Sequence, residues 1–251
     1  MKILKHLPKS IQLIKRFVFS KNNVACPCCH NEFVTFLPTA GQFARPHAAC
    51  PICSSLERHR MMMLYLERET SVFEAKNIKI LHVAPEPHLF NRFLKAQGSN
   101  YHPVDLFTGS NYYPPPTTNM DITNIGGEAN VYDVILCSHV LEHIPDDTKA
   151  MSELYRVMKP SGFAILQVPM EKNRTATYED WSITTPAARE VAFYQNDHVR
   201  IYGNDYQDRL RSVGFEVTIV PYTKQFSALE NFKYGFDTAE DIYLCKKRIS
   251  N

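Results

Sequence analysis

Apolar residues in this chain gather into short dense runs separated by longer amphipathic stretches. That is the pattern of buried strands alternating with helices. The densest run spans residues 131–137, Val-Tyr-Asp-Val-Ile-Leu-Cys, with the length and composition of a strand covered on both faces. Residues 78–84, 101–106 and 163–169 read as strands of the same kind, and 215–222 with 241–247 as a closing pair. Pro103 is awkward inside its run, because proline removes a ladder donor. Helical spacing predicts helices over 56–69, 88–96, 149–158 and 206–213, the last stopped by Gly214. Ser54-Ser-Leu-Glu57 reads as a capping box opening the first of these, and Lys159-Pro-Ser-Gly162 as a turn. Together these elements predict an α/β fold with a mostly parallel sheet. Ligands of such a sheet collect at the carboxyl ends of its strands.

Polar residues mark that edge. The run at 131–137 leads directly into Ser138, His139, Glu142 and His143. A second polar feature is the insertion over 170–203, which carries Trp181, the chain's one tryptophan, together with His198, Arg200 and Tyr202. Structureless segments of that length inside a compact domain are usually functional.

Composition narrows the class. At 251 residues the chain suffices for one large or two small domains. A net charge of +2 gives no global argument for nucleic acid, and no apolar run reaches the roughly 18 residues of a membrane span. Residues 1–20 form a basic amphipathic segment. Leu4, Leu7, Ile11, Ile14 and Val18 recur at helical spacing among Lys2, Lys5, Lys9, Lys15 and Arg16. Either this segment lies on an anionic membrane surface or it packs on a protein body.

The seven cysteines are odd in number and clustered, which points to metal binding in a reducing compartment, hence a cytoplasmic protein, peripheral to the membrane if residues 1–20 bind one. Cys26 and Cys29, then Cys50 and Cys53, give two C-x2-C knuckles separated by 20 residues. Four thiolates close a tetrahedral zinc site with no position left for water, so the zinc is expected to be structural. Cys28 and His30 are alternative ligands. Arg58-His59-Arg60 beside the knuckles either grips a phosphate or forms a solvated face. The expected organisation is a segment over 1–20, a zinc module with its linking helix over 21–70, and a main domain over 71–251.

The stretch Asp133-Val-Ile-Leu-Cys-Ser-His-Val-Leu-Glu-His143, followed by Leu154-Tyr-Arg-Val-Met-Lys-Pro-Ser-Gly162, resembles class I S-adenosylmethionine-dependent methyltransferases, in particular their type 11 group. The resemblance runs from about residue 78 to 247. It implies a Rossmann-like seven-stranded, mostly parallel sheet with S-adenosylmethionine as cofactor. It places His82, Ala84 and Glu86 at the first strand and cofactor loop, and Asp105 and Leu106 at the end of the second strand. Asp121 and Ile122 fall at the third, and Ser138 and His139 at the fourth. By the same resemblance Asp105 meets the ribose hydroxyls, Asp121 the adenine amino group, and Glu86 the ammonium of the cofactor. The loop departs from the family: His82-Val-Ala-Pro-Glu-Pro87 stands where glycines usually let the backbone approach the cofactor. The run 197–202 resembles a family segment near the acceptor side, so His198, Arg200 and Tyr202 are either acceptor-site residues or a structural hinge held by the same hydrogen bonds; Trp181 is a further acceptor-side candidate, and the aromatic-rich 223–240 segment is expected to wall the acceptor pocket. For a hydroxyl acceptor, His139, His143 and His198 are candidate bases, because imidazole titrates near neutrality. Three functions stay open. The first is a methyltransferase for a small-molecule or glycan/lipid-linked acceptor. The second is an RNA methyltransferase assisted by the zinc module, disfavoured by the charge. The third is a non-catalytic binding protein on the same scaffold.

Overall fold

In the computed structural model, residues 23–40, 44–108 and 113–247 are described. The amphipathic segment over 1–20 lies outside them. The described residues divide into two compact units, one of them within 23–71 and 221–241, the other within 72–220 and 242–247.

The larger unit is built on the predicted strands. They are β3 (Ile80–Val83), β4 (Tyr101–Asp105), β5 (Thr118–Asn119), β6 (Tyr132–Ser138), β7 (Met158–Gln167), β10 (Phe215–Val220) and β11 (Ile242–Lys247). These form one seven-stranded sheet in the order β10-β11-β7-β6-β3-β4-β5. The five strands from β7 to β5 run parallel, while β11 is antiparallel to both β7 and β10. This is the Rossmann-like, mostly parallel sheet that the resemblance implied. Helices α2 (Pro87–Gln97) and α3 (Asp147–Val157) connect β3 to β4 and β6 to β7, and α5 (Tyr206–Ser212) leads into the edge strand β10. Asp146 caps α3 by accepting from the Lys149 N–H, a charge-assisted cap at a positive helix end. The core of the unit collects Leu81, Ile135, Leu154, Leu166 and Phe215 with buried Cys137 and Cys245.

Pro103 is tolerated for a local reason. It pairs with His82 on one side, while β5 begins only opposite Val104. The position thus faces a single full ladder. Residues 159–162 are not a turn but the first half of β7, which meets β6 through a register shift between Tyr132 and Val134. The 170–203 insertion is also ordered. It carries the two-stranded sheet of β8 (Tyr178–Glu179) and β9 (Arg200–Ile201), with helix α4 (Pro186–Phe193) between them.

The smaller unit holds strands β1 (Val24–Ala25) and β2 (Glu32–Phe33), helix α1 (Glu57–Glu69) and helix α6 (Ala228–Tyr234). Here the structure departs from the expected boundary, because 221–241 folds with the N-terminal unit. The cause is Arg60. Its side chain is fully buried and donates to the carbonyls of Ala48, Ser55, Tyr234 and Gly235 at 2.6–2.8 Å. Its guanidinium also lies 3.8 Å from the Phe36 ring centroid. Gly235 ends α6 with φ 59°, and a Cβ there would come within 2.5 Å of Phe36. Only glycine allows that approach. The aromatic rings of Phe226, Tyr234 and Phe236 pack on one another in this unit. The basic triplet is therefore not a solvated face. Arg60 is consumed by backbone carbonyls, and His59 Nδ1 accepts from the Leu56 N–H at 3.1 Å. That last bond, rather than a Ser54–Glu57 box, caps α1, while Glu57 pairs with Arg45 at 2.7 Å.

Arg60→Met keeps most of the volume and strands four buried acceptors. The expected loss is about 3–5 kcal/mol, the usual cost of breaking a buried charged network. Denaturant unfolding would measure it; a loss below about 1 kcal/mol would mean that water replaces the guanidinium without strain.

Candidate functional site

Strand register assembles the carboxyl edge of the sheet. Val83 pairs with Val104 on one side and with Cys137 on the other. The residues that follow, Ala84, Asp105 and Ser138, therefore stand in one row across three adjacent strands. They are far apart in sequence, and only the parallel pairing unites them. At the same edge the chain leaves each strand through a residue in the left-handed region: Ala84 (φ 48°), Phe107 (φ 56°) and His139 (φ 54°). Such conformations cost energy in non-glycine residues and tend to be kept where function needs them. Ala84 adopts the backbone that the missing glycine would have supplied.

After Ala84 comes Pro85-Glu86-Pro87, with Glu86 at the N-cap of α2. Glu86 is held from behind. His82 Nε2 lies 2.7 Å from Glu86 Oε2, and His82 Nδ1 lies 2.9 Å from the Tyr101 hydroxyl. Burial pushes the Tyr101 phenol far up, with the Glu86 charge adding to it. It thus stays protonated and can donate to Nδ1, which leaves Nε2–H to donate to the carboxylate. His82 is 0% exposed, so its expected contact with a cofactor is corrected: it positions Glu86. A groove of about 350 Å³ opens over this loop, lined by Ala84, Glu86, Phe90, Asn91, Tyr113 and Pro114.

Asp105 Oδ1 accepts from the Phe107 N–H at 2.6 Å. Asp121 Oδ1 accepts from the Thr123 N–H and hydroxyl, both at 2.8 Å. In each case one oxygen fixes the local turn and the other has no hydrogen-bond partner among the described residues. Leu106 is exposed beside Asp105, while the Ile122 side chain belongs to the core. A buried Ile122 side chain leaves only its backbone to meet a ligand.

Across the edge from that loop lies a single turn, Leu141–His143. The insertion is tied to it by the Val199 N–H, which donates to Glu142 O at 2.9 Å. This bond brings His198 beside Glu142 and His143, with the two imidazole centroids 4.7 Å apart. Burial lowers the His198 pKa from its ordinary value and favours the neutral ring. Two expected acceptor contacts are corrected. Arg200 is 1% exposed and donates to the carbonyls of Leu141, Ile144 and Pro145 at 2.5–2.8 Å, with Glu179 Oε1 at 2.5 Å. Tyr202 is fully buried and donates to Asp147 Oδ2 at 2.6 Å. Both anchor the turn and neither can reach an acceptor. Trp181 is 56% exposed, with its ring centroid 5.8 Å from the Arg200 guanidinium. Tyr101, Asp147 and Arg209 drew no attention in the sequence, because their partners lie 19 to 62 residues away. Glu142 did carry a signal, its place three residues after His139.

A family model described as a methyltransferase domain matches residues 57–220, about two thirds of the chain. The chain belongs to the methyltransferase-domain family. Solved structures similar to this methyltransferase include the Burkholderia thailandensis 1,6-didemethyltoxoflavin-N1-methyltransferase with 1,6-didemethyltoxoflavin and S-adenosylhomocysteine bound. It is 15% identical, with 74% of this chain and 76% of that one covered and a TM-score of 0.45. A SAM-dependent methyltransferase from Archaeoglobus fulgidus is 14% identical, with 76% and 96% covered and a TM-score of 0.45. The [4+2]-cyclase SpnF is 12% identical, with 78% and 85% covered and a TM-score of 0.47. No curated protein matches the chain. Among the described residues no helix is long and apolar enough to cross a membrane.

The smaller unit of this methyltransferase carries the cysteine cluster. The sulfurs of Cys26, Cys29, Cys50 and Cys53 lie within 4.8 Å of one another. Cys26–Cys53 and Cys29–Cys50 are each 3.7 Å apart. Zinc–sulfur bonds of about 2.3 Å in a tetrahedron require sulfur–sulfur distances of about 3.8 Å, so the donor set fits the ion. The Cys28, Cys50 and Cys53 thiols drive the ionisation of Cys26 far down, toward the thiolate that binds metal. Cys28 also neighbours Cys26, but its sulfur lies 3.6 Å from His59 O and is not one of the four that converge.

Elemental analysis of freshly purified, reduced protein is expected to give roughly one zinc per chain. Cys50→Ser is expected to lose it and Cys28→Ser to keep it. Zinc that persists in Cys50→Ser would remove this ligand set.

Proposed function

We propose that this chain transfers a methyl group from S-adenosylmethionine to a small-molecule or glycan/lipid-linked acceptor. The observation that supports the reading most is the row formed by Ala84, Asp105 and Ser138 at the carboxyl edge of β3, β4 and β6. That is where an open α/β sheet binds nucleotides. The residues suit the cofactor. Asp105 keeps a carboxylate oxygen for a ribose diol, and Asp121 keeps one for the adenine amino group. Glu86, steadied by His82 at the start of α2, offers a negative charge to an ammonium. The left-handed Ala84 lets the loop turn tightly despite the absence of glycine.

S-adenosylmethionine, when bound, supplies a methyl group already activated by the sulfonium, so the protein contributes mainly alignment. The Ser138–His143 turn would then present the acceptor, and the buried Arg200 would hold that turn in place through the carbonyls of Leu141, Ile144 and Pro145. A nucleic-acid acceptor is less well supported. The net charge is near zero and Arg60 is spent on backbone carbonyls. The structural zinc, with its four cysteines, would serve the smaller unit's stability rather than the reaction.

Calorimetric titration of S-adenosylmethionine into the zinc-loaded protein tests the reading. Asp105→Asn preserves the bond to the Phe107 N–H and removes the charge. It is expected to weaken binding by about 10- to 100-fold, the worth of hydrogen bonds to a charged group. Failure of the folded wild-type protein to bind would favour a non-catalytic binding role instead.

A further inference from the structure

The Leu141–His143 turn and the end of the insertion bring together a group that the donor side does not use. Glu142, His143 and His198 each direct one ligand atom to within 4.8 Å of the others. We propose that these three side chains bind a divalent first-row transition cation, at a second metal site distinct from the four cysteines.

Three observations carry the proposal. First, Glu142 is 1% exposed, yet its contacts are loose. Oε1 stands 3.5 Å from His139 Nδ1 and 3.9 Å from His143 Nε2, and Oε2 has no hydrogen-bond partner among the described residues. The second distance is too long for a hydrogen bond and the first is marginal. A buried carboxylate left in that state is costly, and a cation would repay the cost. Second, both imidazoles are oriented from behind. His198 Nδ1 lies 3.1 Å from Phe193 O, and His143 Nδ1 lies 3.3 Å from Asp197 Oδ2. An oxygen on Nδ1 fixes the proton there and leaves Nε2 as the lone-pair nitrogen, the arrangement that accompanies metal-ligating histidines. Third, the set is held in place. The Val199 N–H bond to Glu142 O fixes His198 against the turn, and Arg200 caps the carbonyls of Leu141, Ile144 and Pro145.

Two imidazoles and one carboxylate suit a transition ion rather than calcium or magnesium. Around bonds of about 2.0–2.2 Å, neighbouring ligand atoms sit about 3–3.5 Å apart. Side-chain rotation of about an ångström would therefore close the set. Three protein ligands leave positions open, the form of a reactive rather than a structural site. On the methyltransferase reading, and resting on it, those positions face the second substrate and would take an oxygen donor of the acceptor.

The test uses Mn²⁺, because thiolate sites select softer ions and the zinc module would stay loaded. Electron paramagnetic resonance and water-proton relaxation of the full, zinc-loaded chain are expected to show one bound Mn²⁺ that retains coordinated water. Glu142→Gln keeps the shape of the buried side chain, and His143→Ala alters a half-exposed one. Each is expected to weaken Mn²⁺ binding by more than about tenfold, with circular dichroism unchanged. No Mn²⁺ binding by the wild-type chain would overturn the site, as would equal affinity in wild type and both folded variants. S-adenosylmethionine titration of the same samples separates the two readings. Mn²⁺ bound without cofactor binding would support the metal site and count against the methyltransferase proposal alone.

Discussion

The parallel pairing of β3 with both β4 and β6 is the constraint on which the rest of the larger unit depends. Register in a buried sheet is not adjustable, since a slip of one residue would turn Leu81 and Ile135 toward the wrong face. Once Val83 is set against Val104 and Cys137, the next position on each strand is set too. The ends of three strands then become one ledge, and each chain must leave it by a sharp turn. The left-handed residues Ala84, Phe107 and His139 are the consequence. The sheet imposes the turn, and the core beneath it meets the cost of placing side chains where glycine would be relaxed.

Much of this was legible in the sequence. The run at 131–137 declared a buried strand, and the Asp105 and Asp121 positions followed from ordered spacing along the resemblance. The cysteine spacing picked out four candidate ligands, Cys26, Cys29, Cys50 and Cys53, and their sulfurs converge in the structure. What was not legible depended on distant partners. His82 carried the signature of a site residue, but a tyrosine 19 positions later turns it inward as a support for Glu86. Arg200 and Tyr202 read equally well as acceptor residues, from the resemblance of the 197–202 run, or as a structural hinge. Their burial is visible only once Leu141, Ile144, Pro145 and Asp147 are placed around them.

The two buried arginines illustrate one use of a guanidinium. Arg60 gathers four carbonyls and Arg200 gathers three carbonyls and a carboxylate. Both stand where chain segments distant in sequence must be joined without a strand ladder. Five donors in a rigid plane can satisfy several loop carbonyls at once, which lysine cannot do. In the smaller unit this binds 221–241 to the N-terminal residues and explains why a boundary drawn from sequence order misplaced that segment.

Arg200 has a further consequence for the carboxyl edge. A turn such as Leu141–His143 is too short to hold its own shape, and the buried carbonyls at and just after it, those of Leu141, Ile144 and Pro145, call for donors. Arg200 supplies donors from the insertion, while Asp147 and Glu179 balance its charge together with that of Arg209. The 170–203 segment therefore does not need to touch a substrate to matter. It fixes where Glu142, His143 and His198 stand relative to the row of Ala84, Asp105 and Ser138. Arg200 and Tyr202, the polar residues most prominent in the insertion, are the supports of that arrangement rather than its reactive groups.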